Sequence, residues 1–302
     1  MSEEDWLDDQ WALGDNLATL NVIAQSLAEL RIDVLLFGET GSGKDTLAQR
    51  IHRLSGRKGP FVAMNCAAIP ESLCESELFG VVSGAYTGAD RSRLGYIEAA
   101  QGGTLYLDEI DSMPFVLQSK LLRVLESRAL ERLGSTTSIE LDICVIASAQ
   151  CSLEELVELG EFRRDLYFRL NALTLKLPPL RLHRERILPL FMHLLEKLAQ
   201  EMEVRVKEVD PVMTQVLLNH DWPGNIRELK SAAKRFVMGL PPLGDDPTPE
   251  GVTTALKSQL RLIERVLIQE SLKRNEHSID VVSRELDIPR RTLYHRMKEL
   301  DV

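Results

Sequence analysis

The sequence has no apolar run that approaches the roughly 18 to 20 residues of a membrane-spanning helix. Its N-terminal segment SEEDW at residues 2–6 is acidic and has neither the basic nor the apolar part of a signal peptide. We therefore expect a cytoplasmic protein with no membrane partner.

Cysteine is scarce, and the chain's cysteines show neither CxxC spacing nor a paired His/Cys cluster. They are Cys66, Cys74, Cys144 and Cys151. The absence of such spacing favours reduced thiols over a disulfide framework or a metal site. The sequence therefore predicts reduced structural thiols.

An excess of positive charge is also missing, since the 302-residue chain carries a net charge of −10. This charge argues against attraction of the whole chain to nucleic acid. Segment 255–302 differs, because its ten Lys and Arg residues outnumber its eight Asp and Glu residues. A small DNA-contacting unit on an acidic body would show this asymmetry, and so would a solvated helical face with extra arginines.

The most informative pattern that is present is a glycine-rich segment at 38–44, directly after the apolar run VLLF at 34–37. Its glycines let backbone N–H groups converge on phosphate oxygens, and Lys44 can reach the β and γ phosphates. A glycine-rich turn with a solvated lysine is the alternative, but the preceding strand and the helix-compatible segment that follows favour a nucleotide site. The predicted nucleotide-binding residues are Gly38, Glu39, Thr40, Gly41, Ser42, Gly43, Lys44, Asp45 and Thr46.

Apolar, β-rich runs separated by helix-compatible stretches predict a parallel α/β sheet. The runs lie at 33–37, 61–64, 104–107, 143–147 and 173–177. After residue 180 the strand signal ends, and 187–202 has the pattern of an amphipathic helix. We expect an α/β nucleotide-binding subdomain at 1–178, an α-helical subdomain at 179–240, a Pro- and Gly-rich linker at 241–256 and a DNA-binding unit at 257–302.

The C-terminal unit has helix-turn-helix spacing, with helices predicted at 260–272, 278–286 and 290–300. Pro289 stands where a new helix can begin without losing a hydrogen bond. A small helical protein-interaction bundle would show similar spacing. The residues suited to phosphates and base edges are Arg290, Arg291, Thr292, Tyr294, His295, Arg296 and Lys298.

Two carboxylates, Asp108 and Glu109, end the segment GGTLYLDE at 102–109. Asp108 could hold Mg²⁺ directly or through water, and Glu109 could then orient the attacking water in phosphoryl transfer. An Asp-Glu pair alone is common on surfaces. Its place behind a β-forming run, in a chain with a phosphate loop, favours catalysis.

Several ordered motifs resemble those of the bacterial enhancer-binding proteins, AAA+ ATPases that activate sigma-54 RNA polymerase. GAYTGA at 84–89, after ELFG at 77–80, is similar to their GAFTGA loop. The resemblance runs from about Leu17 to the C-terminus. It includes NCA at 65–67, LLRVL at 121–125, FR at 162–163, LPPLR at 177–181 and WPGNIREL at 222–229. The tail resembles the family's Fis-type helix-turn-helix.

The resemblance implies an AAA+ α/β fold with an α-helical lid, and ATP and Mg²⁺ as cofactors. It assigns phosphate binding to Lys44, and metal and water to Asp108 and Glu109. Asn65 would hold Glu109 in a switch that responds to the nucleotide state.

Three arginines also match the family. Arg163 and Arg169 correspond to arginine fingers that reach into a neighbouring subunit's site, and Arg227 corresponds to the sensor arginine. Because an arginine in trans stabilises charge on the γ-phosphate, hydrolysis should require a ring, hexameric by analogy. Spacing alone would not distinguish the fingers from surface salt bridges.

Tyr86 would lie at the tip of a loop that touches the sigma factor, where an aromatic ring gives a rigid apolar contact. In isolation the same six residues would suggest a glycine-rich surface turn. The partners implied are sigma-54 RNA polymerase holoenzyme and enhancer DNA. The predicted sigma-contacting residues are Gly84, Ala85, Tyr86, Thr87, Gly88 and Ala89.

Three sites depart from the family pattern. Asp45 stands where phosphate loops have Ser or Thr and this family usually has Glu, VVS at 81–83 replaces a usual His-Glu pair, and Ala149-Gln150 replaces a Thr-Asn sensor. These changes bear on how hydrolysis is coupled to loop movement.

The phosphate loop begins after only 37 residues, which leaves no room for the usual sensory domain. We therefore expect control by a trans-acting inhibitor protein. This architecture is similar to the Hrp activators of type III secretion genes, in which two paralogues co-assemble, so the ring could be a homo- or hetero-hexamer. The leading hypothesis is an ATP-dependent activator that opens sigma-54 promoters. The alternative is a DNA-binding regulatory subunit with weak ATPase activity that completes a paralogue's ring.

Overall fold

The computed structural model describes residues 33–86, 91–205, 208–243, 256–275 and 278–300. The chain divides into two compact units, Met1–Pro179 and Leu180–Val302.

A five-stranded sheet forms the centre of the first unit, with strand order β2-β3-β6-β1-β7. All neighbouring strands are parallel, which confirms the predicted α/β class. Each strand begins and ends within two residues of its predicted run. The strands are β1 Val34–Phe37, β2 Phe61–Asn65, β3 Thr104–Asp108, β6 Cys144–Ala149 and β7 Leu173–Lys176.

Alternating side chains of the sheet enter two separate hydrophobic clusters, as the two-residue period of a strand requires. Leu35 packs in one cluster, while Val34 and Leu36 pack in the other. Helix α1, Lys44–Leu54, covers the second cluster with Leu47 and Ile51. The first cluster is covered by helices α2 Glu71–Phe79, α3 Tyr96–Ala99, α4 Phe115–Ser127, α5 Leu153–Leu159 and α6 Arg164–Leu170.

An antiparallel pair of short strands was not predicted. It consists of β4, Ala129–Glu131, and β5, Ser138–Glu140. Each strand has only three residues, with Leu130 or Ile139 at its centre. Three residues are too few to show the alternation of apolar and polar side chains that indicates a strand.

Helices are the only regular secondary structure among the described residues of the second unit. Its first part contains α7 Arg184–Glu201, α8 Pro211–Asn219 and α9 Asn225–Val237. The WPGNIREL segment organises this part, because Trp222 is fully buried and its indole N–H donates to the Leu217 carbonyl at 2.9 Å. The buried Asn225 side chain accepts the Leu180 N–H at 2.8 Å.

Three further helices confirm the predicted helix-turn-helix. They are α10 Leu256–Arg274, α11 Ile279–Glu285 and α12 Arg290–Leu300. Ile268, Val282 and Leu293 bring one buried side chain from each helix into a common core. Most of the predicted linker lies outside the described residues. Among the helices the structure describes, none is long and apolar enough to cross a membrane.

Candidate active site

The phosphate loop connects the end of β1 to the start of α1. Gly43 has φ 96°, a left-handed conformation that favours glycine. A Cβ atom at Gly38 would lie 2.9 Å from the Leu177 carbonyl oxygen, so only glycine lets the loop approach β7 this closely. The sequence thus forms the sharp turn that polyphosphate binding requires.

Lys44 is the first residue of α1 and only 7% exposed. Its ammonium donates to the carbonyl oxygens of Gly38 at 2.7 Å and Glu39 at 3.1 Å. Burial lowers the pKa of Lys44, and the nearby carboxylates of Asp108 and Asp45 oppose that effect. The cation is therefore kept at the loop, where phosphate oxygens would replace the carbonyls.

The register of β2 against β3 pairs Asn65 with Asp108, and the Asn65 amide donates to the Asp108 carboxylate at 3.2 Å. The Asn65 side-chain oxygen accepts the N–H groups of Ala67 and Ala68. In this structure Asn65 therefore contacts Asp108 and not Glu109, unlike the expected switch pair. The reason is local, because Glu109 has φ 54° and its backbone turns out of the strand.

Gln150 takes the contact that was expected of Asn65. It follows the last residue of β6, and its amide nitrogen donates to the Glu109 carboxylate at 2.5 Å. Its side-chain oxygen accepts the Thr40 hydroxyl of the phosphate loop, also at 2.5 Å. The residue that differs from the family's Thr-Asn pattern thus links the loop to the carboxylate predicted to orient water.

Tyr106 and Ser148 belong to the site, although no sequence motif indicates them. The Tyr106 hydroxyl lies 2.7 Å from Asp45 and 3.1 Å from Asp108, and the Ser148 hydroxyl donates to Asp108 at 2.5 Å. Burial raises the pKa of Tyr106, which keeps the phenol protonated as a donor. Tyr106 stands two residues before Asp108, so both side chains share one face of β3, and this periodicity could have indicated it.

The oxygen donors fit Mg²⁺, which prefers oxygen ligands. Among the described residues, no group of three or more His, Cys, Asp or Glu residues could hold a metal ion alone. Mg²⁺ in nucleotide sites usually binds through one or two carboxylates together with substrate phosphates, and Asp108 with Asp45 matches that arrangement. Thr46 is exposed on α1.

Arg163 lies at the start of α6, where its guanidinium makes two contacts with Asp165 at 3.0 and 2.7 Å. The Asp165 side chain is 46% exposed, so this ion pair is a surface pair. The backbone N–H of Arg163 donates to the buried Gln118 side chain at 2.8 Å. Arg163 also lies 6.0 Å from the centroid of the exposed Phe115 ring.

Arg169, in the last turn of α6, occupies a different environment. Its guanidinium lies 3.1 Å from the fully buried Asp33 carboxylate and donates to the Leu125 carbonyl at 3.1 Å. In the single chain Arg169 therefore has partners on both the start of the sheet and the end of α4.

The GAYTGA loop is described up to Tyr86, and Thr87, Gly88 and Ala89 lie outside the described residues. Tyr86 is 45% exposed. The base of the loop is fixed because Val81 and Arg93 exchange two backbone hydrogen bonds, and the Val82 N–H donates to the Leu133 carbonyl. Val81 is buried, so part of the unusual VVS segment packs in the core.

Arg227 is an exposed residue of α9 in the second unit. All seven residues predicted to contact DNA are exposed on α12, while Leu293 and Leu300 face the core. Arg296 lies 3.2 Å from Glu264 and 3.3 Å from Glu299, which orients its side chain along the helix surface.

Three family models match the chain in sequence order. The sigma-54 interaction domain matches residues 14–176, the AAA+ ATPase lid domain matches 181–241, and the bacterial regulatory protein model of the Fis family matches 259–300. The first of these covers more than half of the chain.

Curated relatives and solved structures agree with these matches. The pathogenicity locus probable regulatory protein HrpS of Pseudomonas savastanoi pv. phaseolicola is 68% identical over 289 residues, 95% of this chain and 96% of that protein. The corresponding HrpR of Pseudomonas syringae pv. syringae is 60% identical over 281 residues, 93% and 90% of the two chains. NtrX from Brucella abortus in complex with ATP has a TM-score of 0.70 and 29% identity, over 99% of this chain and 72% of that chain.

Proposed function

We propose a function for this chain on the ground that it belongs to the sigma-54 interaction family of AAA+ transcription activators. It hydrolyses ATP to remodel the closed complex of sigma-54 RNA polymerase, and it does so while bound to upstream DNA. The observation that carries the proposal is the hydrogen-bonded path from Thr40 through Gln150 to Glu109. This path connects the phosphate loop to the group that would orient the attacking water.

The site residues would have separate roles in phosphoryl transfer. Lys44 would bind the β and γ phosphates, and Glu109 would orient the attacking water. Mg²⁺ supplies charge neutralisation at the phosphates when bound, and Asp108 with Asp45 would hold it. Arg163 and Arg169, which match the family's arginine fingers, would stabilise charge in the site of a neighbouring subunit.

Tyr86 would transmit the nucleotide state to sigma-54, since it projects from a loop whose base is hydrogen-bonded to the rest of the unit. The exposed groups of α12 would bind the enhancer DNA. The similarity to HrpS and HrpR supports type III secretion genes as targets and a paralogue as a ring partner. In this proposal the chain assembles into a hexamer, and a trans-acting inhibitor protein controls its activity.

The alternative, a regulatory subunit that scarcely hydrolyses ATP, would follow if Asp45 and Gln150 disabled the site. Both residues instead hydrogen-bond to neighbours of the reaction centre, Asp45 to Tyr106 and Gln150 to Glu109. These contacts favour a chain that hydrolyses ATP itself.

Replacement of Lys44 tests the nucleotide site directly. We expect Lys44→Ala to abolish binding of a fluorescent ATP analogue, because the buried cation at the loop is lost. Lys58→Ala is the matched control, since Lys58 is exposed outside the site. Unchanged affinity in Lys44→Ala would refute the assignment.

Measurement of ATP turnover distinguishes the proposed activator from the alternative regulatory subunit. The purified chain should hydrolyse ATP without a second protein. If turnover appears only after a purified HrpR-type paralogue is added, and Lys44→Ala in this chain leaves that turnover unchanged, the regulatory-subunit function replaces the proposal.

A further inference from the structure

A single carboxylate, that of Asp111, holds the main chain between β6 and α5. The ladder of β6 ends just before Gln150, and α5 begins shortly after Cys151. One oxygen of Asp111 accepts both backbone N–H groups of this connection, from Gln150 at 3.1 Å and from Cys151 at 3.0 Å. Asp111 itself lies in the short turn Ile110–Ser112 after β3. It therefore supplies the acceptor that the sheet no longer provides, and it joins the two connections to each other.

The turn that carries Asp111 also brings Glu109 to the same place. Glu109 has φ 54°, which turns the chain out of β3 beside β6, the neighbouring strand of the sheet. The Glu109 carboxylate accepts from the side-chain amide of Gln150 at 2.5 Å, while Asp111 accepts from the main chain of Gln150. One short segment thus holds Gln150 by its side chain and by its backbone.

The side-chain contacts of Gln150 depend on where its main chain is held. A glutamine side chain has several rotatable bonds, and fixing them costs conformational entropy. The amide nitrogen must meet Glu109 while the side-chain oxygen meets the Thr40 hydroxyl. If the main chain after β6 shifted, the side chain would lose one contact in keeping the other. The two hydrogen bonds to Asp111 oppose such a shift.

We infer that Asp111 is a positioning residue for ATP hydrolysis, which fixes the main chain of Gln150 so that Gln150 can join Thr40 to Glu109. Asp111 contacts neither nucleotide nor metal in this role. The inference rests on the proposed ATPase function for its turnover measurements, and a thiol measurement on the single chain tests the Asp111 contacts separately.

Two substitutions of Asp111 separate a role through hydrogen bonds from a role through charge. Burial lowers the pKa of Lys44, and Asp111 opposes that effect after Asp108 and Asp45, so loss of its charge would reach the phosphate loop by another route. Asp111→Asn removes the charge and keeps an oxygen for both N–H groups. The second oxygen of Asp111, which the amide nitrogen replaces, has no hydrogen-bond partner among the residues that the structure describes.

The hydrogen-bonding role predicts different turnover for the two variants. We expect Asp111→Asn to retain at least about a third of the native kcat for ATP. Asp111→Ala leaves both N–H groups without their acceptor, so its kcat should fall at least about tenfold while nucleotide affinity stays within about threefold of native. Equal losses of kcat in the two variants would overturn the inference, because the charge alone would then matter.

A double variant tests whether Asp111 acts through Gln150. When one residue works only by placing another, its removal has little effect once the other side chain is absent. In a Gln150→Ala background, Asp111→Ala should therefore lower kcat by less than about twofold. A further loss of about tenfold in this background would overturn the inference. Ser112→Ala, the adjacent exposed position, is the matched control and should leave kcat unaltered in both backgrounds.

The thiol of Cys151 reports on the same carboxylate without ATP turnover. Cys151 is exposed and the other cysteines are buried, so a folded chain should offer one rapidly reacting thiol to dithiobis(nitrobenzoic acid). Desolvation, followed by the charge and the hydrogen bond of Asp111, raises the pKa of this thiol. Because the thiolate is the reactive form, both Asp111 variants should react faster than the native chain. Asp111→Ala should exceed Asp111→Asn by at least about twofold, because it also releases the backbone of Cys151.

The thiol measurement distinguishes misfolding and failure of the proposed function from failure of the inference. If Asp111→Ala exposes all four thiols, it is unfolded, and Asp111→Ser takes its place, since a shorter side chain cannot serve both N–H groups. If the native chain hydrolyses no ATP, the proposed function fails and the thiol rates still decide the role of Asp111. Equal thiol rates in Asp111→Asn and Asp111→Ala, or native rates in both, would overturn the inference.

Discussion

Gln150 and Tyr106 show how single side chains complete the nucleotide site. Gln150 contacts both Thr40 and Glu109, and Tyr106 lies between Asp45 and Asp108. Neither residue follows from a motif, since the family pattern marks Gln150 only as a departure and Tyr106 reads as part of an apolar strand. Their roles depend on which side chains meet across the sheet edge.

Removal of the Gln150 side chain should slow hydrolysis. Because Gln150→Ala deletes a hydrogen bond to the Glu109 carboxylate, we expect kcat for ATP to fall roughly 10- to 150-fold with a smaller change in nucleotide affinity. Gln49→Ala, an exposed change on α1, should leave kcat unaltered. A native kcat in Gln150→Ala would show that Glu109 does not need this contact.

Loss of the Tyr106 hydroxyl should alter the metal requirement. Tyr106→Phe removes the hydroxyl that lies within hydrogen-bond distance of both Asp45 and Asp108, and removal of an outer-shell partner typically costs roughly 10- to 100-fold in metal affinity. The Mg²⁺ concentration for half-maximal binding of a fluorescent ATP analogue should therefore rise. Tyr96→Phe, on α3, is the control, and identical Mg²⁺ titrations for both variants would exclude a positioning role for Tyr106.

At the scale of elements, Gln118 joins α4 to the segment that carries Arg163. It is fully buried, donates to the carbonyls of Met113 and Glu161, and accepts the Arg163 N–H. Three backbone groups from two segments, one at Met113 and one at 161–163, thus depend on one side chain. The arginine proposed to serve the neighbouring site is positioned through its backbone by this contact.

Gln118→Leu should therefore destabilise the protein and disorder the start of α6. Unsatisfied buried groups cost about 1 to 3 kcal/mol each, so we expect a loss of at least about 2 kcal/mol in the free energy of unfolding by urea titration. Ser119→Ala, the adjacent exposed position, should change it by less than about 0.5 kcal/mol. Equal stability of both variants would contradict the role assigned to Gln118.

The GAYTGA loop makes a separate prediction, because its base is hydrogen-bonded while Tyr86 is exposed. Tyr86→Ala should leave ATP turnover within about twofold of native, as surface changes usually do, yet prevent opening of a sigma-54 promoter. Tyr86→Phe retains the apolar ring and should support opening. Full opening by Tyr86→Ala, measured by permanganate reactivity of the promoter DNA, would refute the loop's proposed contact.

The local sequence pattern was sufficient to predict the main helices and strands. It was insufficient to predict which side chains contact one another. The five strands follow from apolar runs, and Gly43 and Lys44 follow from the phosphate-loop spacing. The β4–β5 hairpin was missed because three-residue strands carry too little pattern. The partner of Asn65 depends on strand register, and the contact of Arg169 with Asp33 joins residues more than a hundred positions apart, so neither could be predicted.

At the scale of the whole molecule, the separate parts of the chain match the separate tasks of the proposed function. In that proposal the first unit would bind nucleotide and carry the loop that contacts sigma-54, and the C-terminal helix-turn-helix would anchor the protein on DNA. Hydrolysis should require assembly, because Arg163 would act in a neighbouring site. Turnover per subunit should therefore rise with protein concentration and reach a plateau, and a rate per subunit that is independent of concentration would contradict assembly-dependent catalysis.

Promoter opening tests the central claim most directly. The purified chain, with sigma-54 RNA polymerase holoenzyme and a promoter with its upstream site, should convert the closed complex to permanganate-reactive open DNA when ATP and Mg²⁺ are present. A non-hydrolysable ATP analogue, or the Lys44→Ala variant, should leave the DNA closed. Opening with the analogue, or no opening with ATP both by the chain alone and together with an HrpR-type paralogue, would contradict the claim that this protein uses ATP hydrolysis to activate sigma-54 polymerase.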